Sequence, residues 1–189
     1  MNVANALGVF VLLSEFGLSG DEIGRGLKSF QSVARRQQVV GEAGGITVID
    51  DFAHHPTAIR VTLQAIAEKY PGRRLLAAFE PRSNTARRNV FQKEFGNAFE
   101  GAARVYLGPV YFKDTDPIPA HERLDTPALV SAISAQGAET FACASNDEIL
   151  DRMVADARSG DVAVFMSNGP FDRLKDRFLE AMRKRGGQS

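Results

Sequence analysis

The chain has 189 residues, with 23 Lys+Arg balanced by 23 Asp+Glu, a single cysteine and no tryptophan. At roughly 150 residues per domain this is one domain with an appendage, long enough to bury a substantial core. The neutral balance argues against a nucleic-acid partner, one cysteine excludes an internal disulfide, and no apolar run is long enough for a membrane span, so a reducing cytoplasm is expected.

The chain opens at once on a helical pattern, Asn2-Val3-Ala4-Asn5-Ala6-Leu7, as a piece of something longer would. Val3, Leu7, Val11 and Leu12 recur at helical spacing until Gly17. Ser19-x-x-Glu22 is a capping box for a second helix, with Ile23, Leu27 and Phe30 as its apolar face. The first thirty residues thus predict a helical hairpin. After Arg35-Arg36, two β-rich runs, 38–41 and 46–50, flank Ala43-Gly44-Gly45 and predict a β-hairpin.

From there strand and helix patterns alternate. Pro56 suits a first helical position, with Ile59, Leu63, Ile66 and Tyr70 on one face. A strand over 74–79 precedes a helix carrying Val90, Phe91, Phe95 and Phe99. Another strand, 104–108, leads into a polar loop over 113–123 and a helix holding Leu129, Val130 and Ile133. A short strand over 140–143 is followed by Ser145-x-x-Glu148, a second capping box, whose helix runs toward Gly160. The fully apolar strand 161–166 precedes a last helix with Phe171, Leu174, Phe178 and Met182, and the tail from Gly186 reads as frayed. Such alternation implies an α/β, Rossmann-like, mostly parallel sheet with helices on both faces.

In sheets of this kind ligands bind beyond the carboxyl ends of the strands. Three segments fall there: Asp50-Asp51-Phe52-Ala53-His54-His55-Pro56, then Glu80-Pro81-Arg82-Ser83-Asn84-Thr85-Ala86-Arg87-Arg88, then Ser167-Asn168-Gly169-Pro170. Each leads from a strand to a helix start, where backbone N–H groups suit anions. Each also has a structural reading. Asp50 and Asp51 end a strand, His54 and His55 cap a helix, the arginines form a solvated face, and Ser167-Asn168-Gly169 is a tight turn. Three histidines in all leave zinc a poor fit, so no metal site is expected in the chain. Neither a G-x-x-x-x-G-K-[ST] phosphate loop nor a G-x-S-x-G elbow is present.

Taken together, Asp50-Asp51-Phe52-Ala53-His54-His55-Pro56-Thr57, Glu80-Pro81-Arg82-Ser83-Asn84-Thr85 and Met166-Ser167-Asn168-Gly169 resemble the loops of the ATP-dependent Mur ligases of peptidoglycan synthesis. The wording is most similar to the branch that joins UDP-N-acetylmuramate to L-alanyl-γ-D-glutamyl-meso-diaminopimelate in peptidoglycan recycling. The L-alanine-adding branch is the alternative within the family, and a non-catalytic nucleotide- or peptide-binding α/β module the alternative outside it.

The resemblance implies that residues 1–33 are the last helices of a central ATPase domain and 34–189 a peptide-binding C-terminal domain. The N-terminal domain and most of the central domain would be the missing partners, and Met1 stands where the family has His. Asn5, Arg36, Asp51 and His54 are then expected at the nucleotide, and His55, Arg82, Ser83, Asn84, Thr85, Arg87, Ser167 and Asn168 at the peptide. Two departures stand out: Gln38 replaces a usual Glu, and Pro170 and Asp172 replace Gly residues. The implied cosubstrate is ATP. Mg²⁺ and the phosphate-loop lysine would belong to the central domain, so this chain would position substrates and be inactive alone.

Overall fold

A computed structural model describes residues 2–30, 33–112 and 117–187. Met1, the start of the polar loop at 113–116 and the last two residues of the tail lie outside them. The chain divides into two compact units, residues 1–34 and 35–189.

The N-terminal unit is the expected helical hairpin, α1 (Asn2–Glu15) and α2 (Gly20–Ser29). Both halves of the capping box at α2 are made: Ser19 accepts from Glu22 N, and Glu22 accepts from Ser19 N. Among the described residues of this unit only Ile23 is a buried hydrophobic; Leu27 and Phe30, expected on the same apolar face, are 36% and 67% exposed. Val3, Leu7, Val11 and Leu12 on α1 are exposed too.

The second unit carries a six-stranded sheet. Its strands are β1 (Gln38–Ala43), β2 (Ile46–Asp51), β3 (Leu75–Phe79), β4 (Arg104–Leu107), β5 (Glu139–Ala142) and β6 (Val162–Met166), in the order β1-β2-β6-β3-β4-β5. The β1–β2 pair is antiparallel and all others are parallel. Gly44 and Gly45 turn the hairpin at φ +59° and +76°, the left-handed pair that a two-residue turn needs.

Helices cover both faces: α3 (Pro56–Lys69), α4 (Gln92–Gly96) and α5 (Thr126–Ser134) on one, α6 (Asn146–Asp156) and α7 (Leu174–Gly186) on the other. Central strands are apolar at every position because alternate side chains enter different cores. Val162, Val164 and Met166 of β6 join Ile59, Leu63 and Leu129, whereas Ala163 and Phe165 join Ile149, Leu174 and Phe178.

Several boundaries differ from the sequence expectation. The helix expected around Val90 and Phe99 is only five residues long, after a 3₁₀ turn at Asn89–Phe91. Gly96 and Asn97 are weak helix formers, and Phe95 and Phe99 bury from the short helix and the turn after it. The 74–79 strand loses Arg74, whose guanidinium is drawn into a pair with Asp161. β5 sits one residue earlier than expected, and α6 ends at Asp156, short of Gly160. Phe171 does not belong to the last helix. It occupies a tight turn with Asp172 and Arg173, all three at left-handed φ, while α7 itself extends to Gly186.

Candidate functional site

The strands β2, β6 and β3 lie side by side, and their register sets Asp51 opposite Met166 and Met166 opposite Phe79. The three polar loops therefore leave the sheet at one level. Backbone bonds continue the alignment past the strand ends: Ser167 N donates to Asp51 O at 3.2 Å and Glu80 N to Met166 O at 3.1 Å.

The first loop is fixed by its two aspartates. Asp51 is 2% exposed. Its Oδ2 accepts from Gln37 N at 2.8 Å, and its Oδ1 from Ala53 N at 2.7 Å and Thr62 Oγ1 at 3.4 Å. Asp50, also buried, pairs with Lys175 of α7 and lies 3.5 Å from Arg35 Nε. Arg35 then crosses the rim, donating from Nη2 to Gly169 O at 2.7 Å, with its guanidinium 5.1 Å from the Phe52 ring centre. These charged groups hold the bases of the first and third loops together. Burial makes such pairs sensitive to loss of one partner.

His54 Nδ1 lies 2.9 Å from Phe52 O. With Nδ1 as donor, Nε2 is left as an acceptor for a ligand. His55 stands at the N-cap position of α3 but makes no side-chain capping bond; its ring meets Phe91 edge-on at 4.7 Å. Neither histidine plays the capping role that the local sequence also allows. Both line a cavity of about 110 Å³ with Ser83, Thr85, Phe91 and Phe95.

In the second loop, Ser83 Oγ accepts from Ala86 N at 3.0 Å. Asn84 Oδ1 accepts from Arg87 Nη2 at 2.6 Å, and Arg87 Nη1 donates to Tyr111 O at 3.0 Å. Arg87 braces the loop through these bonds. Arg88 pairs with Glu122. Arg82 is exposed and makes no ion pair or hydrogen bond among the described residues. It lies across Gly169, where a Cβ would fall 2.6 Å from Arg82 Cδ and 2.7 Å from Nε and Nη1.

In the third loop, Ser167 is buried; its Oγ donates to Glu80 and accepts from Gly169 N at 2.8 Å. Asn168 Oδ1, though buried, has no hydrogen-bond partner among the described residues.

His54, His55, Ser83 and Thr85 thus gather at one cavity, and Arg82, Ser167 and Asn168 at the neighbouring loop. Asn84 and Arg87 meet each other. Asn5 belongs to the N-terminal unit, exposed on α1. Arg36 is exposed, 5.8 Å from the Phe52 ring centre; the arginine that engages the rim is its neighbour Arg35. Sequence reasoning also left Glu80 and Lys175 without a role, and placed Phe91 on a helix rather than at the cavity. Glu80 was visible in the loop pattern, but no spacing signals a contact between Lys175 and Asp50.

Cys143 is buried, and burial pushes its thiol up to about 11, which favours the protonated thiol over the nucleophilic thiolate. Among the described residues no three His, Cys, Asp or Glu side chains converge in a way that could hold a metal ion, and no helix is long and apolar enough to cross a membrane.

The family model for "Mur ligase, glutamate ligase domain" matches residues 35–169, from the linker arginine to the last loop of the rim. The chain belongs to the Mur ligase family. The UDP-N-acetylmuramate–L-alanine ligase of Rhizobium etli is 35% identical over 169 residues, covering 89% of this chain and 35% of that protein. The chain therefore spans about 35% of the length of that curated relative. A murein peptide ligase from Psychrobacter arcticus superposes with a TM-score of 0.73 at 31% identity, over 96% of this chain and 37% of that one. A domain from a putative UDP-N-acetylmuramate:L-alanyl-γ-D-glutamyl-meso-diaminopimelate ligase of Haemophilus ducreyi superposes with a TM-score of 0.59 at 30% identity, over 78% of this chain and 99% of that one. The six-stranded, mostly parallel sheet is the fold of Mur ligase C-terminal domains, as the resemblance implied.

Proposed function

We propose that the chain is the C-terminal part of an ATP-dependent ligase that joins an amine to the carboxylate of UDP-N-acetylmuramate, in the cytoplasm. In this reading residues 1–33 are the last helices of a central ATPase domain and 34–189 form the domain that receives the amine. ATP phosphorylates the muramate carboxylate, the amine attacks the resulting acyl phosphate, and phosphate leaves. No residue described here is assigned to Mg²⁺, since none converge on a cation site; those ligands fall to the central domain.

The observation that carries the reading is Arg82. It is an arginine without an ion-pair partner among the described residues, laid across Gly169 at a rim shared by three strand ends. Arginine suits bidentate recognition of carboxylates, and L-alanine and the tripeptide both carry them. His55, Ser83, Thr85, Ser167 and Asn168 are assigned beside it on the amine side, and Asn84 with its brace Arg87 at the edge. His54 is assigned to the nucleotide, together with Arg36 and Asn5. Asp51 acts there by fixing the loop, because its oxygens already serve internal donors.

Two amines remain in view, each with its own support. The curated relative is an L-alanine-adding ligase, which supports L-alanine more directly than the tripeptide. The tripeptide is supported by the wording of the 80–85 loop and by the murein peptide ligase and the Haemophilus ducreyi domain. The test is full-length ligation with L-alanine, tripeptide and tetrapeptide supplied together, products being separated by mass. A single dominant adduct names the amine, and absence of every adduct, with ATP consumed or not, overturns the reading.

A further inference from the structure

The described buried carboxylates differ in how they are satisfied. Asp161 accepts from Nε and Nη2 of Arg74, at 2.9 and 2.7 Å, and from Arg158 N at 2.8 Å. Asp50 has Lys175 and Arg35, and Asp51 has three donors. Glu80 is the exception. It is 8% exposed, yet its carboxylate has one partner, the neutral hydroxyl of Ser167, and no ion pair among the described residues. Its other oxygen, Oε1, accepts no hydrogen bond among the described residues and is not sealed inside the protein.

A buried carboxylate without a cation is costly unless something supplies the missing charge. Glu80 directly follows β3, at the level where the three loops leave the sheet. Neither arginine of the rim pairs with it: Arg35 is held by Asp50 and Gly169 O, and Arg82 lies over Gly169. One loop of the rim therefore carries, two positions apart in sequence, a carboxylate and a guanidinium that make no ion pair among the described residues. A ligand that carries both an ammonium and a carboxylate could satisfy the two.

We infer that Glu80 is a specificity-determining residue that receives the ammonium of the incoming amine on Oε1, while Ser167 holds Oε2 and fixes the carboxylate's orientation. The inference rests on the proposed ligase reading and deepens it, for either amine. Arg82 reads the carboxylate end of the same ligand, and Glu80 distinguishes an amine from its uncharged analogue.

The test uses the full-length ligase that contains this chain, with wild-type, Glu80→Gln and Ser167→Ala variants. The glutamine keeps the size of the side chain and an oxygen for Ser167. Two readouts are taken: the KM for the amine against that for ATP, and inhibition by the amine substrate's desamino analogue. The expected result for Glu80→Gln is a rise in amine KM of about 10- to 100-fold, the scale of a lost charged hydrogen bond. The KM for ATP and inhibition by the desamino analogue should stay within about twofold, and Ser167→Ala should show a weaker rise of the same kind. An unchanged amine KM in Glu80→Gln, with the wild type active, overturns the assignment of Glu80 alone. Equal weakening of the amine and its desamino analogue overturns it as well, since a merely structural role would give that pattern. A wild type that ligates no amine overturns the ligase reading itself, and this inference with it.

Discussion

Arg82 covers Gly169 so closely that a methyl group at residue 169 would sit 2.6 Å from Arg82 Cδ. Two loops separated by more than eighty residues of chain are thereby coupled at one point. The contact explains why the third loop needs a glycine there, since only a residue without Cβ lets the guanidinium lie flat.

Gly169→Ala should therefore move Arg82 without harming the fold. The clashing atoms belong to a flexible side chain, and the backbone is not in the left-handed region. Urea unfolding should change by less than about 1 kcal/mol. In the full-length enzyme the KM for the amine should rise about tenfold, with the KM for ATP nearly unchanged. A large loss of stability, or a rise confined to ATP, would remove Arg82 from the amine side.

The two adjacent linker arginines separate cleanly. Arg35 is half-buried, pairs with buried Asp50 and holds the carbonyl of Gly169, whereas Arg36 is exposed. Arg35→Met leaves Asp50 with Lys175 alone and should cost about 2 kcal/mol. Arg36→Met should stay within about 0.5 kcal/mol, as surface substitutions do. Urea titration of both variants at neutral pH decides it, and equal effects would refute the clamp.

Much of this architecture was legible in the chain. The alternation of apolar strands with amphipathic helices implied the parallel sheet, and the rule for strand ends located the three loops before any contact was known. What stayed hidden depended on long-range pairing. Nothing in the spacing tells that Lys175 reaches Asp50, or that Arg35 rather than Arg36 crosses the rim. Helix limits failed where tertiary demands took over, as at Phe95 and Phe99, which bury from a five-residue helix and the turn beyond it. The apolar stripe of α2 misled for a related reason. Periodicity marks a face that can be buried, and only Ile23 is.

The Arg74–Asp161 pair should make stability depend on acid. Burial tends to raise the Asp161 carboxyl, but the Arg74 guanidinium and the Arg158 N–H outweigh it and hold the pKa below the usual aspartate range. A carboxyl lowered on folding stabilises the protein above its unfolded pKa, and the contribution fades as pH falls through the folded value. Asp161→Asn should thus cost about 2 kcal/mol at pH 7 and pH 5. The gap from the wild type should narrow below roughly pH 4 as the native carboxyl protonates. Urea midpoints at several pH values test this, and a gap independent of pH would show that Asp161 acts by shape alone.

The turn before α7 shows what replaces glycine in this chain and at what energetic cost. Phe171, Asp172 and Arg173 have φ of 46°, 49° and 52°, and a left-handed conformation costs a residue with Cβ about 1–2 kcal/mol. Asp172 stands where the family resemblance has Gly, and its carboxylate is 60% exposed and pairs with Arg177. Arg177 keeps Asp147 as a second partner, so losing one exposed pair removes little. Asp172→Gly relieves the strain while enlarging the conformational freedom of the unfolded chain. The balance should favour the variant by about 0.5 kcal/mol, read as a higher urea midpoint with an unchanged slope. A lower midpoint would mean that the Asp172–Arg177 pair holds this turn more strongly than the left-handed backbone strains it.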